Sequence, residues 1–462
     1  MYHKKYHIHF VGIGGIGMSG IAALLLNLGY RVSGSDLAAS DITRRLKRLG
    51  GTIHQGHDAR QIAGADVVVT SSAVKTDNPE VVAAREAKVP VIPRAEMLAE
   101  LMRLRYSIAV AGAHGKTSTT SIVASILEQG GLDPTVVIGG KRRGPESNAV
   151  LGHGEYLVAE ADESDGSFLR FAPTIAVVTN IDLEHLDFYK DLDEIKAVFV
   201  DFIHRIPFYG LAVLCLDSEP IQHIIPKIDK RFTTYGLTRQ ADLQAHNVSF
   251  DGLRSRFDVR AKGSALGSVT LNLPGIHNVY NALAGIAVGM ELDIDFATIR
   301  EALETLEGVQ RRLEIKGEYN GATVVDDYGH HPTEIKTTLQ AVRDAWPGRR
   351  LVVAFQPHRY TRTQALFDEF ARAFYQSDEL WILPIYAASE PPIDGVDSRF
   401  LADAIRDHRH RRVHFVESLA AAADQLRESL RPDDILLTLG AGNVHEVGTR
   451  VINGPQLETE RK

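Results

Sequence analysis

One cysteine, Cys215, stands in 462 residues. No disulfide can form within such a chain, and this fits a reducing compartment. Long hydrophobic runs are missing as well: Ile21 to Leu26 soon meets Asn27 and Gly29, far short of the ~20 apolar residues of a membrane span. The opening stretch MYHKKYHIHFVGIGG lacks the apolar core and small-residue cleavage site of a secretory signal. Positive charge is not in excess, and a formal net charge of -8 argues against a nucleic-acid partner held by bulk electrostatics. No period of roughly 20 to 50 residues repeats, and no segment is of low complexity. These absences point to a cytoplasmic protein with no membrane insertion and no nucleic-acid partner, acting on small molecules.

What is present is material for several cores. With 44% hydrophobic and 24% charged residues, a chain of this length is expected to form about three domains. Short β-rich apolar runs alternate with helical patterns, the order that gives parallel sheets with crossover helices. The expected fold class is therefore α/β. The first block has strands at Ile8 to Val11, Tyr30 to Ser33 and Asp66 to Thr70, with a helix from Ser19 to Leu28. The second begins near Tyr106 with the strand SIAVAG and a helix from Thr117 to Gln129, followed by strands at Glu155 to Glu160 and Thr174 to Asn180. The third starts near Gly308, with strands at Ala322 to Asp326, Arg350 to Phe355, Leu380 to Leu383 and Asp434 to Leu439. Domains are expected at 1–105, 106–308 and 309–462.

Chemistry concentrates at the strand ends. Gly12, Gly14 and Gly17 form G-x-G-x-x-G between a strand and a helix, with Asp36 after the next strand. Alone, this pattern suits a dinucleotide, with Asp36 on a ribose hydroxyl. Ser71 and Ser72 follow another strand and offer hydroxyls to phosphate, although Ser-Ser at a strand end is commonly a turn. In AVAGAHGKTSTT the loop Gly112-Ala-His-Gly-Lys-Thr117 joins strand to helix, while Val110 stands where the usual phosphate loop has glycine. Its working parts are nevertheless present. Gly112 and Gly115 admit an anion close to the backbone, Lys116 adds a point charge, and Thr117 brings a hydroxyl to Mg²⁺. A lysine at a helix N-terminus opposes the helix dipole, which a bound polyphosphate would explain. Glu160, at a strand's C-terminal end, is a candidate oxygen ligand for that Mg²⁺. His185, flanked by Glu184 and Asp187, is a candidate for a second cation. His358, Arg359 and Arg362 cluster after a strand and suit a carboxylate clamp or a solvated basic turn.

Eight motifs in one order resemble the Mur ligase family over nearly the whole chain: HFVGIGGIGMSGIA, GAHGKTSTT, EADESDGSFL, VVTNIDLEHLD, PGIHNVYNA, VVDDYGHHPTEI, FQPHRYTRT and LTLGAGNV. The resemblance implies a Rossmann-like N-terminal domain, a central domain of the phosphate-loop ATPase type with a mostly parallel sheet, and a Rossmann-like C-terminal domain. It also implies ATP-dependent ligation, in peptidoglycan precursor synthesis, of L-alanine to the lactyl carboxylate of UDP-N-acetylmuramate through an acyl phosphate. By that resemblance the first loop holds the UDP sugar through Gly12, Gly14, Gly15, Gly17, Asp36, Ser71 and Ser72. ATP falls to Gly112, Ala113, His114, Gly115, Lys116, Thr117, Ser118, His277, Asn278, Asn281, Arg311, Arg312 and Asp327, with Asn281 a candidate for the adenine.

Catalysis rests, in the same reading, on Lys116, Glu160, His185 and Arg312, with Mg²⁺ on Thr117, Glu160 and His185. L-alanine is received by Tyr328, His358, Arg359 and Arg362. Two departures stand out. Glu184 occupies a position where the family commonly has Asp, and Ser118 one where Thr is more usual. A recycling ligase that attaches an intact peptide to the same sugar is the runner-up. A dinucleotide-dependent oxidoreductase and a phosphate-loop ATPase that moves a partner are rivals from other classes. Monomer and homodimer are both compatible with the sequence.

Overall fold

The computed structural model describes residues 5–71, 73–138, 149–185 and 188–454. Its strands form three sheets, of five, ten and six strands in chain order. Ser72 and Asp187 lie outside the described residues.

In the first sheet the strand His7–Val11 is central, between Arg31–Asp36 and Val67–Thr70, with Thr52–Gln55 and Val91–Pro93 at the edges. Every pairing is parallel. A central parallel strand is covered on both faces, and the two histidines that interrupt this one are buried but partnered. Ser33 Oγ lies 2.7 Å from both His7 Nε2 and His9 Nδ1. The helix Ile16–Asn27 begins three residues before the expected Ser19, because Gly15, with φ -61° and ψ 144°, is the extended residue that caps it.

The central sheet carries the parallel strands Thr135–Val137, Tyr156–Glu160, Tyr106–Ala111, Ile175–Val178, Leu211–Cys215 and Phe232–Gly236, neighbours in that order. A meander of Leu243–Asp251, Arg254–Ala261 and Ser264–Leu271 extends it. No strand is expected there from apolar runs alone, yet buried and exposed residues alternate as in strands covered on one face. Tyr106–Ala111 lies between Tyr156–Glu160 and Ile175–Val178. The loops leaving the C-terminal ends of these three neighbours therefore converge, as they do in the ligand crevices of open α/β sheets.

The third sheet orders Glu314–Tyr319, Ala322–Asp327, Ile435–Leu439, Leu351–Phe355, Glu379–Ile382 and Val413–Phe415, parallel apart from its first pair. Alternation along its strands fills two separate cores. Val325, Val353 and Leu437 pack on one face and Val324, Val352 and Leu436 on the other. The first and central sheets instead share one continuous apolar core, and an ion pair of 2.8 Å between Arg170 and Glu96 joins their surfaces.

Candidate active site

The loop 112–115 turns sharply because two glycines take positive φ, +129° at Gly112 and +81° at Gly115. A side chain is excluded at both positions. A Cβ on Gly115 would stand 2.7 Å from Asn281 Oδ1. Lys116 opens the helix Lys116–Gln129. Its Nζ donates to the carbonyls of Gly112 and Ala113 at 2.7 and 3.2 Å and to both oxygens of Glu163 at 2.9 and 3.0 Å. Burial opposes the lysine charge, but Glu163, Asp162 and Glu184 outweigh it and raise the pKa above the ordinary lysine value. Burial, helped by Asp162, raises Glu163 to about 7 against the pull of Lys116.

Glu163 is the functional candidate that sequence reading missed; it chose Glu160 from the same EADESD run. Glu160 ends the strand Tyr156–Glu160 beside Val110, and its charge reaches Arg312. Glu163 lies three residues on, with one oxygen 3.7 Å from His185 Nε2, while Glu184 lies 3.8 Å from the same nitrogen. Ligand atoms of Glu163, Glu184 and His185 all lie within 4.8 Å of one another. These carboxylates, with the Thr117 hydroxyl at the helix start, make a donor set rich in hard oxygen, which suits Mg²⁺. His185 has φ +57°, a left-handed conformation for a residue with a Cβ. Such strain gathers at functional sites.

A cavity of ≈ 360 Å³ runs from this loop toward the third sheet, bounded by Gly115, Ser118, Asn278, Asn281, Arg312 and Asp327. His277 also lines it, and burial together with Arg312 lowers its pKa to about 4, leaving a neutral ring. Asn278 donates to the Pro274 carbonyl at 2.7 Å. Asn281 accepts from Thr119 at 3.1 Å and donates to Asn278 at 3.2 Å. Its amide thus braces the helix and the Gly115 turn from behind.

Arg311 and Arg312 separate cleanly. The Arg311 guanidinium is bound to Asp326 at 2.9 Å and to the carbonyls of Gly440 and Gly442 at 2.7 and 3.2 Å, a staple within the third sheet. Arg312 faces the cavity, 3.7 Å from Glu334. Asp327 accepts from Leu313 N at 2.9 Å, Gly329 N at 2.8 Å and Thr338 Oγ1 at 3.2 Å, and burial raises its pKa. Tyr328 stacks under both arginines, with centroid distances of 5.1 and 5.4 Å.

The cluster expected to take a carboxylate lies beside His185. Arg362 reaches His358 Nδ1 at 3.3 Å and Glu184 at 3.8 Å, and Arg359 lies 3.9 Å from Glu390. Arg359 too is left-handed, with φ +70°. His358 stacks on Tyr386 at 5.6 Å, and burial, with His330, Arg362 and Arg359 around it, lowers its pKa to about 3. The ring is neutral between two arginine charges. A second cavity of ≈ 250 Å³, lined by Glu184, His185, Arg359, Arg362 and Leu366, adjoins it.

In the first unit the glycine loop is closed on itself. Gly12 N and Ile13 N donate to Ser35 O at 2.9 and 3.0 Å, and Gly14 N donates to Asp36 Oδ2 at 2.8 Å. Asp36 therefore holds the loop through one carboxylate oxygen. Ser71 Oγ stands 3.7 Å from where a Gly12 Cβ would lie. Gly17 makes room for an arginine that sequence reading also missed. A Cβ there would be 3.0 Å from Arg94 Nη1, and the Arg94 charge is felt at Asp162 across the boundary with the central unit.

Known proteins resemble this chain over nearly its whole length. Sequence models described as the Mur ligase family catalytic domain, the Mur ligase middle domain and the Mur ligase glutamate ligase domain match residues 7–106, 110–289 and 311–442. A UDP-N-acetylmuramate--L-alanine ligase of Desulfosudis oleivorans is 65% identical over 99% of this chain and 100% of its own. Another, of Desulfatibacillum aliphaticivorans, is 65% identical over 97% and 98%. Among solved structures, UDP-N-acetylmuramate-alanine ligase MurC of Thermotoga maritima superposes with a TM-score of 0.80 at 31% identity, covering 96% of this chain and 98% of that one. A murein peptide ligase of Psychrobacter arcticus gives 0.71 at 25% over 96% and 98%.

Proposed function

The chain belongs to the Mur ligase family, and from that premise we propose that it joins L-alanine to the lactyl carboxylate of UDP-N-acetylmuramate, using ATP, in the synthesis of peptidoglycan precursors. The observation that carries the reading is 65% identity, end to end, with ligases of that name. Recycling ligases rank behind it, one at 25% identity with a TM-score of 0.71 and one at 32% over 67% of this chain with a TM-score of 0.61. Among the described residues no helix is long and apolar enough to cross a membrane, and we place the enzyme in the cytoplasm, where both ATP and the UDP sugar occur.

The sugar carboxylate attacks the γ-phosphorus, ADP leaves, and an acyl phosphate forms. The amine of alanine then attacks the acyl carbon, having given up a proton, and the tetrahedral intermediate expels phosphate to leave the amide. Both reactants of the first step are anions, so cations must stand where the charge collects. We assign that task to Lys116, at the end of the phosphate loop, and to Arg312, which lines the same cavity as Gly115 from the third unit. Mg²⁺ would be held by Thr117, Glu160 and His185, with Glu163 and Glu184 alongside, and would supply charge neutralisation of the phosphoryl oxygens.

Adenosine occupies the ≈ 360 Å³ cavity, and Asn278 and Asn281 hold the wall behind the loop. The glycine loop, Ser71 and Arg94 receive the diphosphate of the sugar. Tyr328, His358, Arg359 and Arg362 receive alanine, whose carboxylate pairs with the two arginines while the neutral His358 adds no repulsion toward its ammonium. Because these groups come from three sheets, closure of the units on the substrates aligns them.

The test is omission. Phosphate release from ATP and Mg²⁺ is expected to need both UDP-N-acetylmuramate and L-alanine; release that persists when either is left out refutes the reading. A second prediction separates the paired arginines. Arg311→Ala is expected to cost about 2–3 kcal/mol of folding stability, the value of a charged hydrogen-bond set, read by denaturant titration. Arg312→Ala is expected to leave the melting temperature in place and lower kcat/KM for ATP about 10-fold or more. The reverse pattern would exchange their roles.

A further inference from the structure

We propose that His114 is a positioning residue of this ligation: its ring latches the phosphate loop to the first turn of the helix Pro332–Ala345, so that seating of the third unit aligns the loop. The inference rests on the function proposed above.

The backbone of His114 belongs wholly to the central unit. Its N–H donates to Asn180 Oδ1 at 2.9 Å, and its carbonyl accepts from Thr179 Oγ1 at 2.6 Å and Asn180 Nδ2 at 3.0 Å. The ring instead spans two units. Nε2 is hydrogen-bonded to Asp182 Oδ2 at 3.0 Å on the central side, and Nδ1 faces Glu334 Oε1 on the third at 3.5 Å, an ion-pair contact with no hydrogen bond. The ring also packs on His331 at 4.9 Å between centroids. An imidazolium suits this place because it presents two N–H donors on opposite edges of a short, rigid plane.

Both carboxylates are committed on the far side as well. Asp182 Oδ2 accepts from Thr333 Oγ1, across the same boundary, at 2.8 Å. Glu334 Oε2 accepts from His330 N and His331 N at 2.9 and 3.3 Å, capping its own helix, while Oε1 faces His114 and Arg312. One rigid carboxylate therefore sets the helix start, the loop histidine and the cavity arginine together. Burial opposes charge on His114, but Asp182, Glu334 and Glu184 outweigh it and raise its pKa to about 10. The loop lysine inherits the alignment, since Lys116 follows His114 by two residues in the same turn.

The test compares His114→Ala, Glu334→Gln and the double variant in the full chain, with thermal melts to confirm folding. With both acceptor substrates saturating, each single variant is expected to lose about 10- to 100-fold in kcat, the scale of an ångström-level misalignment. Affinity for a non-hydrolysable ATP analogue is expected to stay within about threefold, and the double variant to be no slower than the slower single. A His114→Ala enzyme with kcat within about twofold of the parent overturns the proposal. So do losses that multiply in the double variant, or an analogue affinity that falls as far as kcat. If His114→Ala melts early, Thr333→Val with Glu334→Gln serves in its place, because both alter only the third unit's side of the latch. Failure of the parent enzyme to require both substrates would instead refute the ligase reading, so the two failures are distinguishable.

Discussion

Replacing Lys116 with alanine is expected to lower kcat at least ~100-fold, the usual loss when a main electrostatic stabiliser of a transition state is removed. The ammonium is held within 2.7 and 3.2 Å of two loop carbonyls and faces Glu163 at 2.9 Å. It is therefore a fixed charge, already paid for in side-chain entropy before any phosphate arrives. Its removal has a second consequence. Half-buried Asp162 and buried Glu163 both lean on this cation, so the alanine variant takes away the charge they share beside the incoming triphosphate and leaves Arg94 alone to offset Asp162. Lys116→Arg is expected to recover little, because a guanidinium is too broad to fold back onto both loop carbonyls. Phosphate release at saturating sugar and alanine measures the effect, with circular dichroism to show the fold unchanged. Turnover near that of the parent would remove Lys116 from the catalytic machinery.

Lys116 was legible in the sequence because G-K-T at a strand-to-helix junction is a local signal, and the same holds for the parallel strands. VVVT, IAVV and LVVAF are solid apolar runs, as strands buried on both faces must be. The meander 243–271 is harder to read because it holds no solid apolar run, is charged and punctuated by glycines, and its alternation is broken by register shifts at His246/Ser249 and Val259/Arg260. Site residues defined by distant partners were hidden for another reason. Lys116 and Glu163 are 47 residues apart and Asp182 and Thr333 are 151 apart, and no spacing rule spans a fold. Arg311 and Arg312 could not be told apart as neighbours. The φ of +57° at Arg311 sends one side chain into the sheet and leaves the other for the cavity. His114 looked incidental for the same reason, since its partner Glu334 stands in the first turn of the helix Pro332–Ala345 of the third unit.

Gly112→Ala is expected to disable the enzyme by deforming the loop without touching its charge. Gly112 has φ +129°, a region that L-residues essentially avoid. An added Cβ would overlap Thr179 Oγ1 and lie 2.8 Å from the Asn180 carbonyl oxygen and 3.0 Å from Asn180 N. Two of these three atoms are backbone and cannot swing away. Thr179 and Asn180 are also the groups that hold His114, so relief of the clash at one end of the loop releases the other. Strain plus overlap is expected to cost about 2–4 kcal/mol of stability. Affinity for an ATP analogue is expected to fall at least ~30-fold, as the loop amides no longer converge on one anion. Gly131→Ala is the control, with a positive φ of +73° and nothing within 4 Å of its Cβ. It carries backbone strain alone, about 1 kcal/mol, and is expected to bind the nucleotide as the parent does. Calorimetric titration of the analogue against both variants reads the difference. If Gly112→Ala binds within about threefold of Gly131→Ala, the loop tolerates the side chain, and its glycine is a requirement of folding alone.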